Sequence, residues 1–318
     1  MLYFMSNSRG CQPREDDFRC IADWGFDFVR LPMNYRAWST DDDPLSLNEE
    51  VLGRVDAAVS LGRAHGIHVD LSFHRAPGYC VNKGMSEPFM LWTDEAALEA
   101  FCFHWAHFAQ RYKGIPASEL SFNLVNEPAA VDGTDGLTPE RHEHVIRTAL
   151  KAIHGIDPAR LVIADGVTWG NDPVPALAGL PLAQSCRGYV PMQISHYQAS
   201  WVDGERFDVP TWPTTDQGEG VYDRARLAEH FAHWRDLADA GVGVHCGECG
   251  CFNKTPHAVF LNWFESFLQI LRGLNIGWAL WNLDGAFGVL DSARADVAYE
   301  NWRGHKLDRA LLDLLRRY

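Results

Sequence analysis

No apolar run in the 318 residues approaches the roughly 20 that a membrane-spanning helix needs. The opening "MLYFMSNSRG" also lacks the basic start, apolar stretch and small-residue cleavage site of a secretory signal. The chain as given therefore reads as cytoplasmic, or as secreted if a leader has been removed. Basic residues are scarce, with 28 Lys plus Arg against 42 Asp plus Glu, a formal net charge of −14. That field repels polyanions, which disfavours nucleic acid and anionic membrane as partners and is compatible with neutral or cationic ligands. No Gly-x-Gly-x-x-Gly turn follows an early strand-like run, which argues against a dinucleotide site. The "CGECGC" stretch pairs Cys246 with Cys249 at Cys-x-x-Cys spacing, but no second pair exists and Cys251 follows Cys249 too soon for a zinc site. No metal and no other cofactor is expected. The 8 cysteines are scattered through a chain too long to need stapling, and most read as small buried apolar residues in a reducing compartment.

What the sequence does contain is alternation. Strand-like apolar runs at Leu2–Met5, Phe26–Leu31, His68–Phe73, Leu120–Val125, Leu161–Ala164, Val190–Ser195, Gly243–Cys246 and Ile276–Trp281 are separated by amphipathic helical stretches. No linker, repeat or charge block interrupts them. Strand and helix repeated about eight times predict an α/β protein with a parallel sheet, and eight units close naturally into a (β/α)8 barrel. The expectation is one domain over residues 1–318, with a short first strand at Leu2–Met5. A doubly wound open sheet is the structural alternative, and the oligomeric state is left open.

Barrels of this kind carry their chemistry at the carboxyl ends of the strands. The polar residues there are Arg30 after the second run, His74 after the third, and Asn126 and Glu127 after the fourth. His196 and Tyr197 follow the sixth, Glu248 the seventh, and Trp281 ends the eighth. Two glutamates delivered to one rim suit hydrolysis of a glycosidic bond, one protonating the leaving oxygen while the other meets the anomeric carbon. In such a pair the ionised partner keeps the other protonated near neutral pH. Arg30 is a candidate to hold Glu248 by a charge-assisted hydrogen bond. Asn126 suits a sugar 2-OH, His74 and His196 other hydroxyls, and Trp281 offers a flat face for a pyranose ring. Further aromatics in loops, Trp38, Tyr79, Trp92, Trp169, Trp201, Trp212 and Phe287, are candidate sugar subsites. In "RHEHVIR", His142 and His144 stand two apart and so on different sides of a helix, which reads as a solvated face rather than a metal site.

Six ordered motifs carry a resemblance: "FDFVRLPMNY" around Arg30, "LSFHRAPGY" around His74, "FNLVNEP" ending beside Glu127, "ISHYQ" around His196, "HCGECG" around Glu248 and "GWALWNLDGAFG" around Trp281. Together they resemble family 5 of the glycoside hydrolases, the large cellulase family. The resemblance implies Glu127 as acid/base, Glu248 as nucleophile and retention of anomeric configuration. It also implies a Trp281–Asn282 peptide that is often cis in such enzymes. The expected activity is endoglucanase-type cleavage of β-1,4-linked glucan in a polysaccharide or oligosaccharide. A β-mannanase or an exo-acting β-glycosidase with the same machinery stands behind it. A metal-dependent barrel hydrolase and a non-catalytic carbohydrate-binding barrel are the rivals of other classes. One departure concerns Tyr197, which directly follows His196 where family members usually space the two by one residue; adjacent strand residues face opposite sides.

Overall fold

In the computed structural model of the chain, residues 13–40, 43–82, 87–216 and 220–318 are described. The strand expected at Leu2–Met5 lies outside them. The described elements run α1 (Glu15–Asp23), β1 (Phe28–Asn34), α2 (Glu49–Ala64), β2 (His68–Ala76), β3 (Tyr79–Cys80), α3 (Glu95–Arg111), β4 (Leu120–Asn123), α4 (Pro139–His154), β5 (Leu161–Asp165), a single turn α5 (Val167–Gly170) and β6 (Ala183–Gly188). After them come α6 (Met192–Ser195), β7 (Thr214–Asp216), β8 (Gly220–Tyr222), α7 (Arg224–His230), α8 (Ala232–Asp239), β9 (Val244–Cys249), α9 (His257–Gly273), β10 (Gly277–Leu280), β11 (Glu300–Trp302), β12 (His305–Leu307) and α10 (Arg309–Leu315). Helix starts follow local chemistry. Asn48 accepts the N–H groups of Glu50 and Val51 at the head of α2, and Thr138 accepts that of Arg141 at the head of α4, where Pro139 takes the first turn.

The strands form one sheet in the order β1-β2-β4-β5-β6-β9-β10, with β3 antiparallel on β2. Its pairs β1–β2, β2–β4, β4–β5, β5–β6 and β9–β10 are parallel. By contacts the chain divides into two compact units that part inside β6, after Ser185.

In the unit ending at Ser185, the pairing register sets Arg30 opposite Asp70 and Asp70 opposite Ser121, then Ser72 opposite Asn123 two residues on. Side chains alternate along a strand, so these polar groups share one face. The other face carries Val29, Leu31, Val69, Leu71, Phe73, Leu120 and Phe122, all fully buried. Phe73 meets Trp105 of α3 with ring centroids 4.5 Å apart, and Trp105 stacks on Phe122 at 5.1 Å. Each such aromatic pair is worth about 0.5–1.5 kcal/mol beyond the area it buries. In the unit beginning at Cys186, α9 supplies a comparable core. Phe260, Trp263, Phe264 and Phe267 recur at helical spacing and are fully buried, with Phe231 against Phe267 at 5.6 Å.

One strand differs from the sequence expectation. The run Val190–Ser195 is not extended: Val190–Pro191 is a cis peptide and Met192–Ser195 is a helical turn. The strand there is Ala183–Gly188, "AQSCRG". Its polar Gln184, Ser185 and Arg187 are buried, so its side chains hide the apolar pattern by which strands are read, while Pro191 cannot donate to a ladder. No helix of the described residues is long and apolar enough to cross a membrane.

Candidate active site

In the unit ending at Ser185, Asn126 and Glu127 lie three and four residues past β4. Asn126 is fully buried and its N–H donates to the Phe73 carbonyl, which ties the post-strand segment to β2. Arg30 is fully buried in β1. Its Nε donates to Asn123 Oδ1 at 2.8 Å, and its Nη2 donates to Ser72 Oγ at 2.7 Å and to Asn126 Oδ1 at 2.9 Å. Asp70 at 3.9 Å and Asp165 at 4.0 Å surround the same guanidinium and offset the cost of burying its charge. Arg30 thus fixes the Asn126 amide. Glu127 has φ of 49°, in the left-handed region, although the following Pro128 favours an extended residue. Its N–H donates to Asp165 Oδ2 at 2.9 Å and its carbonyl accepts the Tyr79 hydroxyl at 2.7 Å. Burial, and then the charge of Glu127, push the Tyr79 phenol up, so it stays a donor. His74 is half-buried near the end of β2, its Nε2 3.4 Å from the Asn82 amide nitrogen.

In the unit beginning at Cys186, Glu248 is the next-to-last residue of β9 and only 3% exposed. Its Oε2 accepts the Tyr189 hydroxyl at 3.1 Å, and its Oε1 is 3.8 Å from Arg187 Nη2. Behind it the strand is closed by thiols: Cys246 Sγ donates to the Glu248 carbonyl at 3.2 Å, and Cys249 Sγ to the Ala279 carbonyl at 3.3 Å. No disulfide links one of the seven described cysteines to another, and no three His, Cys, Asp or Glu of the described residues are grouped to hold a metal ion.

His196 is buried at the end of the α6 turn, edge-on to Tyr189 at 5.0 Å and to Phe287 at 5.7 Å. Burial pushes its imidazole down to about 4, against the pull of the Glu248 charge, so the ring is neutral near pH 7. Tyr197 is buried, and its hydroxyl accepts Gln198 Nε2 at 3.1 Å. Trp281 is half-buried just past β10, its N–H donating to the Cys249 carbonyl at 2.7 Å. The cis peptides of the described residues are Val190–Pro191 and Trp212–Pro213, so the expected cis bond at Trp281–Asn282 is not formed. Asn282 instead turns the chain with φ of 76°, a conformation asparagine tolerates.

Two side chains that the strand-end reading missed therefore stand beside Glu248: Tyr189 and Arg187. Both belong to the segment around β6 that reads as a connector, and moving the strand to Ala183–Gly188 makes Tyr189 the residue directly after it. Asp165 directly follows the Leu161–Ala164 run, a strand-end position absent from the candidates although the same rule points to it. Among the aromatic candidates, Trp169 and Trp201 keep broad exposed surface, 46% and 52%, whereas Trp38, Trp92 and Phe287 are core. The "RHEHVIR" helix is not wholly solvated: His144 is exposed, but His142 is buried against Trp92.

The family model described as Cellulase (glycosyl hydrolase family 5) matches residues 3–287. Endoglucanase C of Acetivibrio thermocellus is 24% identical over 312 residues, covering 90% of this chain and 88% of its own. Cellodextrinase A of Ruminococcus flavefaciens is 26% identical over 265 residues, covering 79% and 73%. A crystal structure titled as a glycoside hydrolase superposes with a TM-score of 0.94 at 41% identity, covering 99% of this chain and 96% of that one. Thermotoga maritima Cel5A in complex with mannotriose gives 0.78 at 22% identity, covering 98% and 96%, a likeness of fold.

Proposed function

The chain belongs to glycosyl hydrolase family 5, the cellulase family, and from that premise we propose that Glu127 is its acid/base, Glu248 its nucleophile and β-1,4-linked glucan its substrate. It is a glycoside hydrolase with the fold of the (β/α)8 barrel enzymes of that family. In the proposed cycle Glu248 attacks the anomeric carbon while Glu127 gives its proton to the departing glycosidic oxygen. The C–O bond to the leaving sugar breaks and an ester to Glu248 forms. Glu127, now a carboxylate, takes a proton from water, the water oxygen attacks the same carbon, and Glu248 is released with the original configuration retained. That chemistry requires the two carboxyl groups about 5–5.5 Å apart across the bond.

The observation that carries the reading is the setting of Glu248. A carboxylate only 3% exposed, aimed by one phenol and accompanied by one guanidinium, is held still without a solvent shell to shed before attack. Tyr189, rather than Tyr197, is the phenol assigned to the nucleophile. Asn126, held by Arg30, is assigned to the sugar 2-OH, neutral His196 and His74 to further hydroxyls, and Trp281 to the sugar face. The choice of β-1,4-glucan rests on relatives named as endoglucanases and on an acidic chain, which suits a neutral polymer. The whole chain is taken as one catalytic domain.

The test is hydrolysis of dinitrophenyl β-cellobioside in EDTA. Wild-type turnover is expected to survive the chelator, which a metal-dependent hydrolase would not allow. Glu248→Gly should be nearly inactive and regain turnover with azide, giving a glycosyl azide of inverted configuration. Glu127→Ala should retain far more activity on this good leaving group than on glucan. Wild-type turnover of glucan by either variant contradicts the assignment, and comparison of glucan, mannan, xylan and xyloglucan identifies the polymer.

A further inference from the structure

We propose that Asp165 is a positioning residue for Glu127, fixing the direction in which the acid delivers its proton; the inference rests on Glu127 being the acid/base. Asp165 is the last residue of β5 and fully buried. Its two oxygens take different donors. Oδ1 accepts Asn123 Nδ2 at 2.8 Å, and Oδ2 accepts the Glu127 N–H at 2.9 Å.

The chain of bonds behind it has a single direction. Arg30 can only donate, so its Nε, together with the Ser72 hydroxyl at 3.0 Å, demands the oxygen end of the Asn123 amide. The nitrogen end of that amide is left to point at Asp165, and only an acceptor can receive it. A carboxylate accepts at both oxygens, so it alone of the common side chains serves the amide on one side and a backbone N–H on the other.

What the second oxygen holds is an unfavourable backbone. Glu127 at φ 49° before Pro128 is a strained conformation of the kind that costs about 1–3 kcal/mol and persists only where its surroundings impose it. Asp165 takes the N–H of that residue, Tyr79 takes its carbonyl, and the turn following β5 takes the next two carbonyls through Trp169 N–H to Pro128 at 2.9 Å and Thr168 N–H to Ala129 at 3.1 Å. Of these anchors Asp165 alone joins Glu127 to the Arg30 network that also holds Asn126, so the acid and the proposed 2-OH ligand are placed by one lattice.

The experiment compares kcat and KM of Asp165→Asn on cellotetraose, whose leaving sugar needs a proton, and on dinitrophenyl β-cellobioside, whose leaving group departs without one. In Asp165→Asn two donors compete for one oxygen. We expect kcat on cellotetraose to fall about 100-fold, the cost of roughly 1 Å of misplacement, with KM changed much less. The loss of kcat/KM on the dinitrophenyl substrate, which reports formation of the ester and not the later step in which Glu127 acts as base, should be at least about tenfold smaller than that on cellotetraose, because general-acid help is worth about 10²–10⁴ only where it is used. The exchange Asn123→Asp with Asp165→Asn restores the bonds that run from Arg30 to the Glu127 N–H, since the new aspartate accepts from Arg30, Ser72 and the new amide, and the new amide oxygen accepts the Glu127 N–H. It should recover most of the lost cellotetraose turnover. Equal losses on the two substrates, or no recovery in the exchange, overturns the inference. If Asp165→Asn does not fold, the exchange decides alone: folded protein with the wild-type ratio of the two activities supports the inference, and anything else contradicts it. Glu127→Ala is run beside them. Should it lack the leaving-group dependence, the assignment of Glu127 fails; should it show the dependence while Asp165→Asn does not, only the role of Asp165 fails.

Discussion

Glu127 and Glu248 are immobilised in opposite ways. The first is held by its backbone: its N–H and C=O are each taken by a side chain, in a left-handed conformation before a proline, within a lattice that radiates from Arg30. The second is held by its carboxylate, which takes the Tyr189 hydroxyl with Arg187 alongside, on a strand whose register with β10 shifts by one residue between Cys246 and Cys249. The difference matches the chemistry assigned to them. A proton donor must be aimed at the departing oxygen, whereas a nucleophile does best with its oxygens already fixed.

Breaking the second arrangement should have the largest effect. Glu248→Ala is expected to lower kcat on cellotetraose by about 10⁴-fold or more, as loss of a covalent nucleophile does. Tyr189→Phe removes one hydrogen bond to a charged group, worth about 1.5–3 kcal/mol, so kcat should drop about 10- to 100-fold. The loss in Tyr197→Phe should be several-fold smaller, and the reverse order would return the phenol's role to Tyr197. Gly188→Ala sharpens the comparison from the side of packing. A methyl there would overlap the Phe267 ring and come within 2.6 Å of the Cys249 Cβ, next to Glu248 in sequence. A stability loss of about 1–3 kcal/mol, read as a lower Tm, is expected.

The last effect concerns stability against pH rather than turnover. His104 and His142 in the first unit and His196 in the second are each pushed by burial to about 4 from an ordinary 6.5. His104 is satisfied as a neutral ring, its Nε2 bonded to the Pro44 carbonyl and its Nδ1 to Trp38 Nε1, while neither nitrogen of His142 has a hydrogen-bond partner among the described residues. The unfolded chain binds more protons than the folded one between those two values. Stability is therefore fully present above about 6.5 and lost as the pH falls through about 4, each histidine contributing about 1.4 kcal/mol per pH unit in between. His142→Phe should flatten the slope of denaturation free energy against pH by one such share, and an unchanged slope would mean that His142 protonates freely in the folded state.

The two halves were unequally legible in the sequence. "FNLVNEP" announces its strand because apolar and polar residues alternate up to Asn126 and Glu127, and the seventh run leads directly to Glu248. The segment around β6 conceals itself. Its buried faces are polar, so hydrophobic alternation points instead to Val190–Ser195, where a proline and a helical turn stand, and Tyr189 and Arg187 pass for parts of a connector. The pairing of Asp165 with Asn123 is invisible for a related reason: a buried polar lattice is specified by which groups face one another across strands, and one-dimensional periodicity carries no record of that register. The two histidines of α4 show the converse, since a spacing of two correctly puts them on different sides without saying which side is inward.

The most direct measurement is to incubate the protein with a 2-deoxy-2-fluoro dinitrophenyl β-cellobioside, which slows breakdown of a covalent intermediate, and to find the label by peptide mass spectrometry. One fluorocellobiosyl group per chain, ester-linked at Glu248, is the expected result. Label on another carboxylate, or release of dinitrophenol by active protein with no covalent adduct at any residue, would contradict the account.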